Sequence, residues 1–256
     1  MATTDVTVPL PQEGRVLPAF GVIGWRWISR NPASAIAPIL VPFIFLYFLW
    51  IISPSSLFPL EVIGAMLFTT QNIGTWVLGD SATWRIEHGL QDLFVASPMG
   101  KVRYLVGIAF SNMIAALPAL IVLAVTLDLT LPAPAPWYAW LVLVAAILVL
   151  WVLFSAVGVA ISSRVTSQRE IWPVGSLCFT ALGMLSPLYY PISSLPPLFQ
   201  DVARFLPATY AALLVQGVFG ITPAAPLTLV AYAGLLLVCA GVGIAIALPL
   251  YRWQGR

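Results

Sequence analysis

Chemistry on a substrate needs acid, base, nucleophilic or metal-binding side chains brought together, and this chain has few to bring. It carries one histidine, His88, and two cysteines, Cys178 and Cys239. His88 adjoins Glu87 and lies four residues from Asp92, in a polar stretch over 80–103, DSATWRIEHGLQDLFVASPMGKVR. Glu61 stands alone in apolar sequence. Each cysteine sits within an apolar run, where a small buried hydrophobe is the expected role rather than a disulfide or metal ligand. No G-x-x-x-x-G-K-[ST] occurs, so the chain has no phosphate cradle of that type. An enzyme built inside a membrane would need converging groups, and these do not converge. The expectation is a chain that is not itself an enzyme and holds no cofactor or metal. Two features remain. One is Thr69, Thr70, Gln71 and Asn72, polar groups in apolar surroundings that could hydrogen-bond a solute. The other is the 80–103 stretch, which holds Asp80, Arg85, Glu87, Asp92, Lys101 and Arg103, six of only eleven basic and nine acidic residues.

The elements that position these residues follow from hydropathy. With 61% hydrophobic and 8% charged residues and a mean hydropathy of +0.99, the chain cannot cover a water-facing surface. Apolar runs near the length of a bilayer span, about 20 residues, recur. They are continuous, as in Trp137 to Ile161, unlike the short alternating segments of a β-barrel. The expected fold is an all-α membrane protein with six transmembrane helices. These run from about Ala33 to Ile52, Leu60 to Leu78, Tyr104 to Leu127, Trp137 to Ile161, Ile171 to Leu188 and Leu227 to Leu250. Residues 1–14 are polar and are expected to be flexible, with no basic segment leading into an early apolar core as a cleavable leader would have. Over 15–31, Val16, Phe20, Ile23 and Trp27 recur at helical spacing, with Arg15, Val22, Arg26 and Arg30 roughly opposite. That pattern predicts an N-terminal amphipathic helix in the headgroup region. Residues 32–256 then form a single transmembrane domain.

With the N-terminus inside, ten of the eleven basic residues fall in inner segments, and Arg204 alone falls outside. The positive-inside rule therefore places both termini and the 80–103 stretch in the cytoplasm of a multi-pass cell-membrane protein. Within that stretch, Ile86, Leu90, Leu93 and Phe94 share one helix face. Glu87, His88, Gln91 and Asp92 share the other, and Pro98 ends the helix. A short helix near 82–98 can rest its apolar side on the bundle and offer its polar side to a soluble partner. By physics alone it could equally be a plain connector. Residues 189–226 fall outside and are too apolar for a free loop, so a re-entrant region is expected, with a short helix within Ser193 to Leu206. Ala156, Ala160, Gly241 and Ala245 could permit close helix approach. Pro118, Pro173 and Pro187 could kink their spans.

Two motifs carry a resemblance. Arg85-Ile86-Glu87-His88-Gly89-Leu90 with Leu93-Phe94-Val95-Ala96-Ser97-Pro98 resembles the cytoplasmic R-E-x-G-T-L-E-x-L-x-x-S-P signature of ATP-binding-cassette exporter permeases of the type-2 membrane family. It departs at Ile86 and His88. Ser186-Pro187-Leu188-Tyr189-Tyr190-Pro191-Ile192-Ser193-Ser194-Leu195-Pro196 with Phe205-Leu206-Pro207-Ala208-Thr209-Tyr210 resembles the family's external S-P-x-x-[FY]-P-x-S-x-L-P … N-P-x-T-Y pattern, with Leu206 in place of Asn. The resemblance implies a permease, homodimeric or paired with a second permease, in contact with membrane lipid and not with nucleic acid. It implies a separate nucleotide-binding subunit that holds ATP and Mg and docks on a coupling helix. The implied coupling residues are Arg85, Glu87, Gly89, Leu90, Leu93, Ser97 and Pro98. An amphipathic, lipid-like or drug-like substrate moved outward is the implied function, with a sodium-type ion extruder as the alternative within the family. A stand-alone channel or scaffold is the alternative outside it. Glu61, Thr70, Gln71 and Asn72 are the candidate substrate path, with hydrogen bonding between helices as the competing role.

Overall fold

The computed structural model describes residues 16–30, 32–86, 90–96, 99–251 and 253. These residues are overwhelmingly helical, and none of them lies in a strand. The helices are α1 (Val16–Arg30), α2 (Pro32–Ile52), α3 (Phe58–Ile86), α4 (Leu90–Ala96), α5 (Lys101–Thr130), α6 (Trp137–Ser162), α7 (Gln168–Leu185), α8 (Pro197–Arg204), α9 (Pro207–Val218) and α10 (Pro226–Leu250). Of the described helices, α5, α6 and α10 are long and apolar enough to cross a membrane. The chain is an all-α membrane protein.

The bundle is built around α3, which packs on α2, α5, α6, α7 and α9. At 29 residues it is about 43 Å long. Its first turns, from Leu60 to Leu67, are buried on every side. Enclosure explains how a helix carrying Thr69 to Asn72 is stable here, because its neighbours replace lipid around it. The hydroxyls of Thr69 and Thr70 donate to the carbonyls of Ala65 and Met66 one turn back, at 2.7 and 2.8 Å. Small residues let the backbones close up. A Cβ on Gly158 of α6 would lie 2.9 Å from the Thr75 carbonyl oxygen, and one on Gly74 would lie 2.8 Å from Phe154 Cβ.

Several expectations change in detail. Ala156 is buried, but Gly241 and Ala245 face outward on α10, and nothing lies near a Cβ placed on Gly241. The close approach on α10 is made by Gly243, where a Cβ would meet Leu153 at 2.9 Å. Pro118 and Pro173 lie inside α5 and α7, whereas Pro187 falls just beyond the end of α7. On α1, Phe20 and Gly24 form the edge buried against α5, while Ile23 is exposed along with Leu17, Val22 and Trp25. Arg26 and Arg30 are exposed as expected. The helix thus has one side on the bundle and an apolar side free, which suits the membrane surface.

The 189–226 region has the short helix expected within 193–206, as α8, and a second helix, α9, that packs on α10, α6 and α3. Thr209 Oγ1 donates to the Ala203 carbonyl at 2.6 Å, and the Tyr210 hydroxyl donates to the Arg204 carbonyl. The TY pair of the external motif therefore works as a brace that folds α9 back on α8.

Candidate functional site

The polar stretch at 80–103 does not form one loop helix. Residues 80–86 continue α3, and a seven-residue helix, α4, follows at 90–96. Glu87, Gly89, Ser97 and Pro98 lie outside the described residues, as do the side chains of Leu90 and Leu93. Arg85, at the last turn of α3, donates from one guanidinium nitrogen to the carbonyl oxygens of Ser162 (2.7 Å) and Val165 (2.6 Å). Those carbonyls belong to the C-terminal end of α6 and its following turn, where acceptors lack helical partners and a cation is favoured. Arg85 therefore ties α3 to α6.

The expected polar face of α4 is only partly polar. Asp92 is exposed at the first turn, but Gln91 is 1% exposed. The amide nitrogen of Gln91 donates to the Trp253 carbonyl at 3.0 Å, and its oxygen accepts from the Tyr251 hydroxyl at 3.0 Å. Lys101, at the start of α5, donates to the Tyr251 carbonyl at 2.9 Å and to the Leu248 carbonyl, which are acceptors at the end of α10. Its ammonium also lies 5.9 Å from the centre of the Tyr251 ring. Burial pushes the Tyr251 phenol up to about 12, so it stays a donor at neutral pH.

Aromatic rings fill the space beneath these bonds. Phe94 of α4 lies 5.9 Å from Phe20 of α1, 6.2 Å from Trp84 of α3 and 5.1 Å from Tyr104 of α5. Tyr104 in turn lies 5.1 Å from Trp253. Thus α4 rests on α1, α3, α5 and the C-terminal segment together. Lys101 reads in the sequence only as a charge, and Tyr251 and Trp253 only as a tail. Their signal was aromatic residues beside a basic group at the end of a long apolar run.

The candidate path residues divide. Glu61 is 1% exposed, in the first turn of α3, where the helix dipole favours a carboxylate. It is enclosed by the protein. Thr70 and Gln71 are likewise buried. The Gln71 amide has no hydrogen-bond partner among the described residues, and its nitrogen would lie 3.3 Å from a Cβ on Gly183. Asn72 alone of the four is half-buried, with its Oδ1 buried and without a hydrogen-bond partner among the described residues. It lines a groove of about 400 Å³ with Pro42, Phe45, Phe48, Phe68 and Tyr189. Tyr189, from the external motif, meets Phe45 at 4.7 Å and Phe68 at 5.7 Å between ring centres.

Phe68, Asn72, Trp76 and Asp80 recur every four residues on the one side of α3 that its neighbours leave open. Trp76 meets Trp172 of α7 edge to face at 4.7 Å. Asp80 is exposed and accepts from Asn112 Nδ2 of α5 at 2.7 Å. The open face is therefore aromatic and polar, unlike α10, whose outward residues Leu227, Val230, Val238 and Ile246 are aliphatic. Lipid suits the second surface and not the first.

No curated protein matches the chain significantly. The family model for ABC-2 type transporters matches residues 23–219, which takes in the open face of α3, the 80–103 stretch and both motifs. The match covers most of the chain, and an assembly of this family pairs a membrane component with an ABC ATPase. The chain belongs to the ABC-2 type transporter family and is a membrane component of an ABC transporter.

Proposed function

We propose that this chain is the permease subunit of an ABC exporter. It moves an amphipathic, lipid-like or drug-like molecule outward, driven by ATP and Mg bound on a separate nucleotide-binding subunit. In this reading α2, α3, α5, α6, α7 and α10 are the six spans, both termini are cytoplasmic, and two copies of the chain face each other. The open face of α3 then borders the path, with Asn72 on it. Glu61, Thr70 and Gln71 support the path from within each copy.

The observation that carries this reading is the way α4 is held. A mere connector needs no anchor on four other elements. A coupling helix does, because a push on it must move the spans. Gln91 and Lys101 link α4 and the start of α5 to the end of α10, and Arg85 links the end of α3 to α6. A docked ATPase that displaces α4 would therefore pull on α10 through Gln91 and on the rings of Tyr104 and Trp253.

Purification of the tagged chain from its native membrane tests the docking. The expected result is a retained subunit that mass spectrometry identifies by a Walker A sequence, and that is lost on Glu87→Lys or Leu93→Asp. A chain purified alone, with both variants transporting normally, would overturn the coupling role.

A second prediction concerns Gln91→Leu. It keeps the side-chain volume but strands the Tyr251 hydroxyl and the Trp253 carbonyl. A lost neutral hydrogen bond costs about 1 kcal/mol, and a stranded buried partner raises that to about 1–3 kcal/mol. Transport in vesicles is expected to fall while ATP hydrolysis continues. Equal loss of both activities would point to misfolding instead, and no loss of either would remove Gln91 from the coupling path.

A further inference from the structure

We propose that the inner half of the open α3 face binds an organic ammonium group, held by the Asp80 carboxylate and the rings of Trp76 and Trp172. The proposal rests on the reading of this face as the substrate path and names the substrate class: an amphipathic amine or quaternary ammonium compound.

Depth comes first. Asp80 is bonded to Asn112, which lies eleven residues beyond the start of α5 at Lys101. That is about 16 Å along the helix axis. Asp80 is therefore level with the interior of a span and not with its end. A carboxylate facing lipid at such depth costs about 2.5–3.5 kcal/mol on insertion scales, so an exposed one faces water or protein. Asp80 is exposed, and no basic side chain pairs with it among the described residues. The ion pair Arg204–Asp201 lies on α8, in the external region. Asp80 thus offers a carboxyl group on the path whose hydrogen-bond partner is a neutral amide.

The surroundings decide which cation suits it. Asn112 Nδ2 donates both to Asp80 Oδ2 (2.7 Å) and to the Ile108 carbonyl (3.2 Å), so its nitrogen is fixed toward Asp80 and its own oxygen is turned away. A bare metal ion would find one carboxylate where it needs several oxygens. No group of three or more acidic, histidine or cysteine residues occurs among the described residues. An ammonium carrying alkyl groups needs less. Trp76 lies one helical turn from Asp80, with Cβ atoms about 5–6 Å apart for that spacing. Trp172, 67% exposed, adds a second indole against it. Tryptophan faces are the preferred partners for such cations. The same stripe continues outward through Asn72 to Phe68 and the aromatic groove, about 18 Å from Asp80 along the helix. A charged head at Asp80 would leave an apolar tail lying along that stripe.

Binding is measured on the full chain in phosphatidylglycerol nanodiscs, by tryptophan fluorescence during titration with dodecyltrimethylammonium. Neutral dodecanol serves as the control. A saturable signal is expected with the cation and not with the alcohol. Asp80→Asn is expected to raise the Kd at least roughly tenfold, as loss of a charge partner at depth should. Trp172→Leu, a change at an exposed ring, is expected to raise it about threefold to tenfold, the range of a partly desolvated cation–π contact. Replacing potassium by sodium in the buffer should leave the Kd unchanged. Nanodiscs containing phosphatidylcholine separate the two sources of the group. A raised apparent Kd there identifies the lipid headgroup as the ligand, and an unchanged one a free amphiphile. Equal Kd values for the wild type and Asp80→Asn, or displacement of the probe by sodium, would overturn the site. The assay contains no ATPase, so its failure leaves the permease reading intact, and failure to retain an ATPase leaves the site intact.

Discussion

Gly64→Ala is expected to cost the protein about 1–3 kcal/mol and to abolish most transport. The Cβ it adds would lie 2.2 Å from the Leu188 carbonyl oxygen and 2.7 Å from its carbonyl carbon. Both are backbone atoms, so no side chain can rotate aside. Leu188 is fully buried, and Tyr189 next to it forms one wall of the aromatic groove. The segment after α7 must therefore move off α3, taking Tyr189 from its contacts with Phe45 and Phe68. Gly241→Ala is the matching control, because nothing lies within 4 Å of the added atom. Thermal unfolding in detergent should show Gly64→Ala melting several degrees below wild type and Gly241→Ala within experimental error of it. Equal melting temperatures would mean that the 186–190 segment does not rest on α3 as described.

The second large effect is expected at Arg85. Arg85→Ala removes two hydrogen bonds from a charged donor to the end of α6, at about 1.5–3 kcal/mol for each such bond when buried. Arg85 is half-buried, and solvent can reach part of the gap, so a total of about 3 kcal/mol is the reasonable figure. Arg85→Lys keeps the charge but has a point-like head in place of the planar fork, and should recover about half. Hydrogen exchange is the direct readout. Amides of the turn at 163–166 and of the last turn of α6 should lose protection in Arg85→Ala, while those of α8 and α9 should not change. If protection falls uniformly, Arg85 supports the whole fold and not the α3–α6 junction. If nothing changes, the tie is absent.

These two positions differ in how much of their role the sequence reveals. Arg85 stands in a recognisable motif, so its importance is legible, but its partners are not. They lie 77 and 80 residues away and are backbone carbonyls, which every residue possesses. Gly64 carries no signal at all. It is one of 18 glycines, and only the crossing of another segment over it makes its missing side chain matter.

The α3 polar run shows the same limit. Thr69 to Asn72 are four consecutive residues, so they point in four directions around the helix, and one of them must face any given side. Choosing Asn72 over Gln71 as the one on the groove needs the positions of α2, α5, α6 and α7. A helix that is enclosed over most of its circumference has no apolar stripe to orient it. Asp80 was counted in the loop because it follows the last long apolar residues. It lies on α3 instead, which runs on to Ile86 and holds it against Asn112 of α5. Periodicity sets Phe94 toward the bundle and Asp92 toward solvent, as found, whereas Ile86, expected on the same side as Phe94, is exposed at the end of α3. Gln91 went the other way because the C-terminal segment returns to cover it, and helical periodicity has no knowledge of a segment 160 residues on.

The sequence by itself determined what depends on local composition. Long apolar runs demand helices, because a backbone in lipid must satisfy its own hydrogen bonds. The basic residues assign an expected inner side, and two motifs at their proper places point to the family that the family match then shows. Tertiary structure alone decided which polar groups meet each other or face open space. It enclosed Glu61, Thr70 and Gln71, left Asn72 half-buried at the groove and Asp80 exposed, and fastened Gln91 and Lys101 to the end of α10. The reason is physical. Burial and pairing are set by the neighbours that pack around a residue, and in a bundle most of those neighbours are remote in the chain.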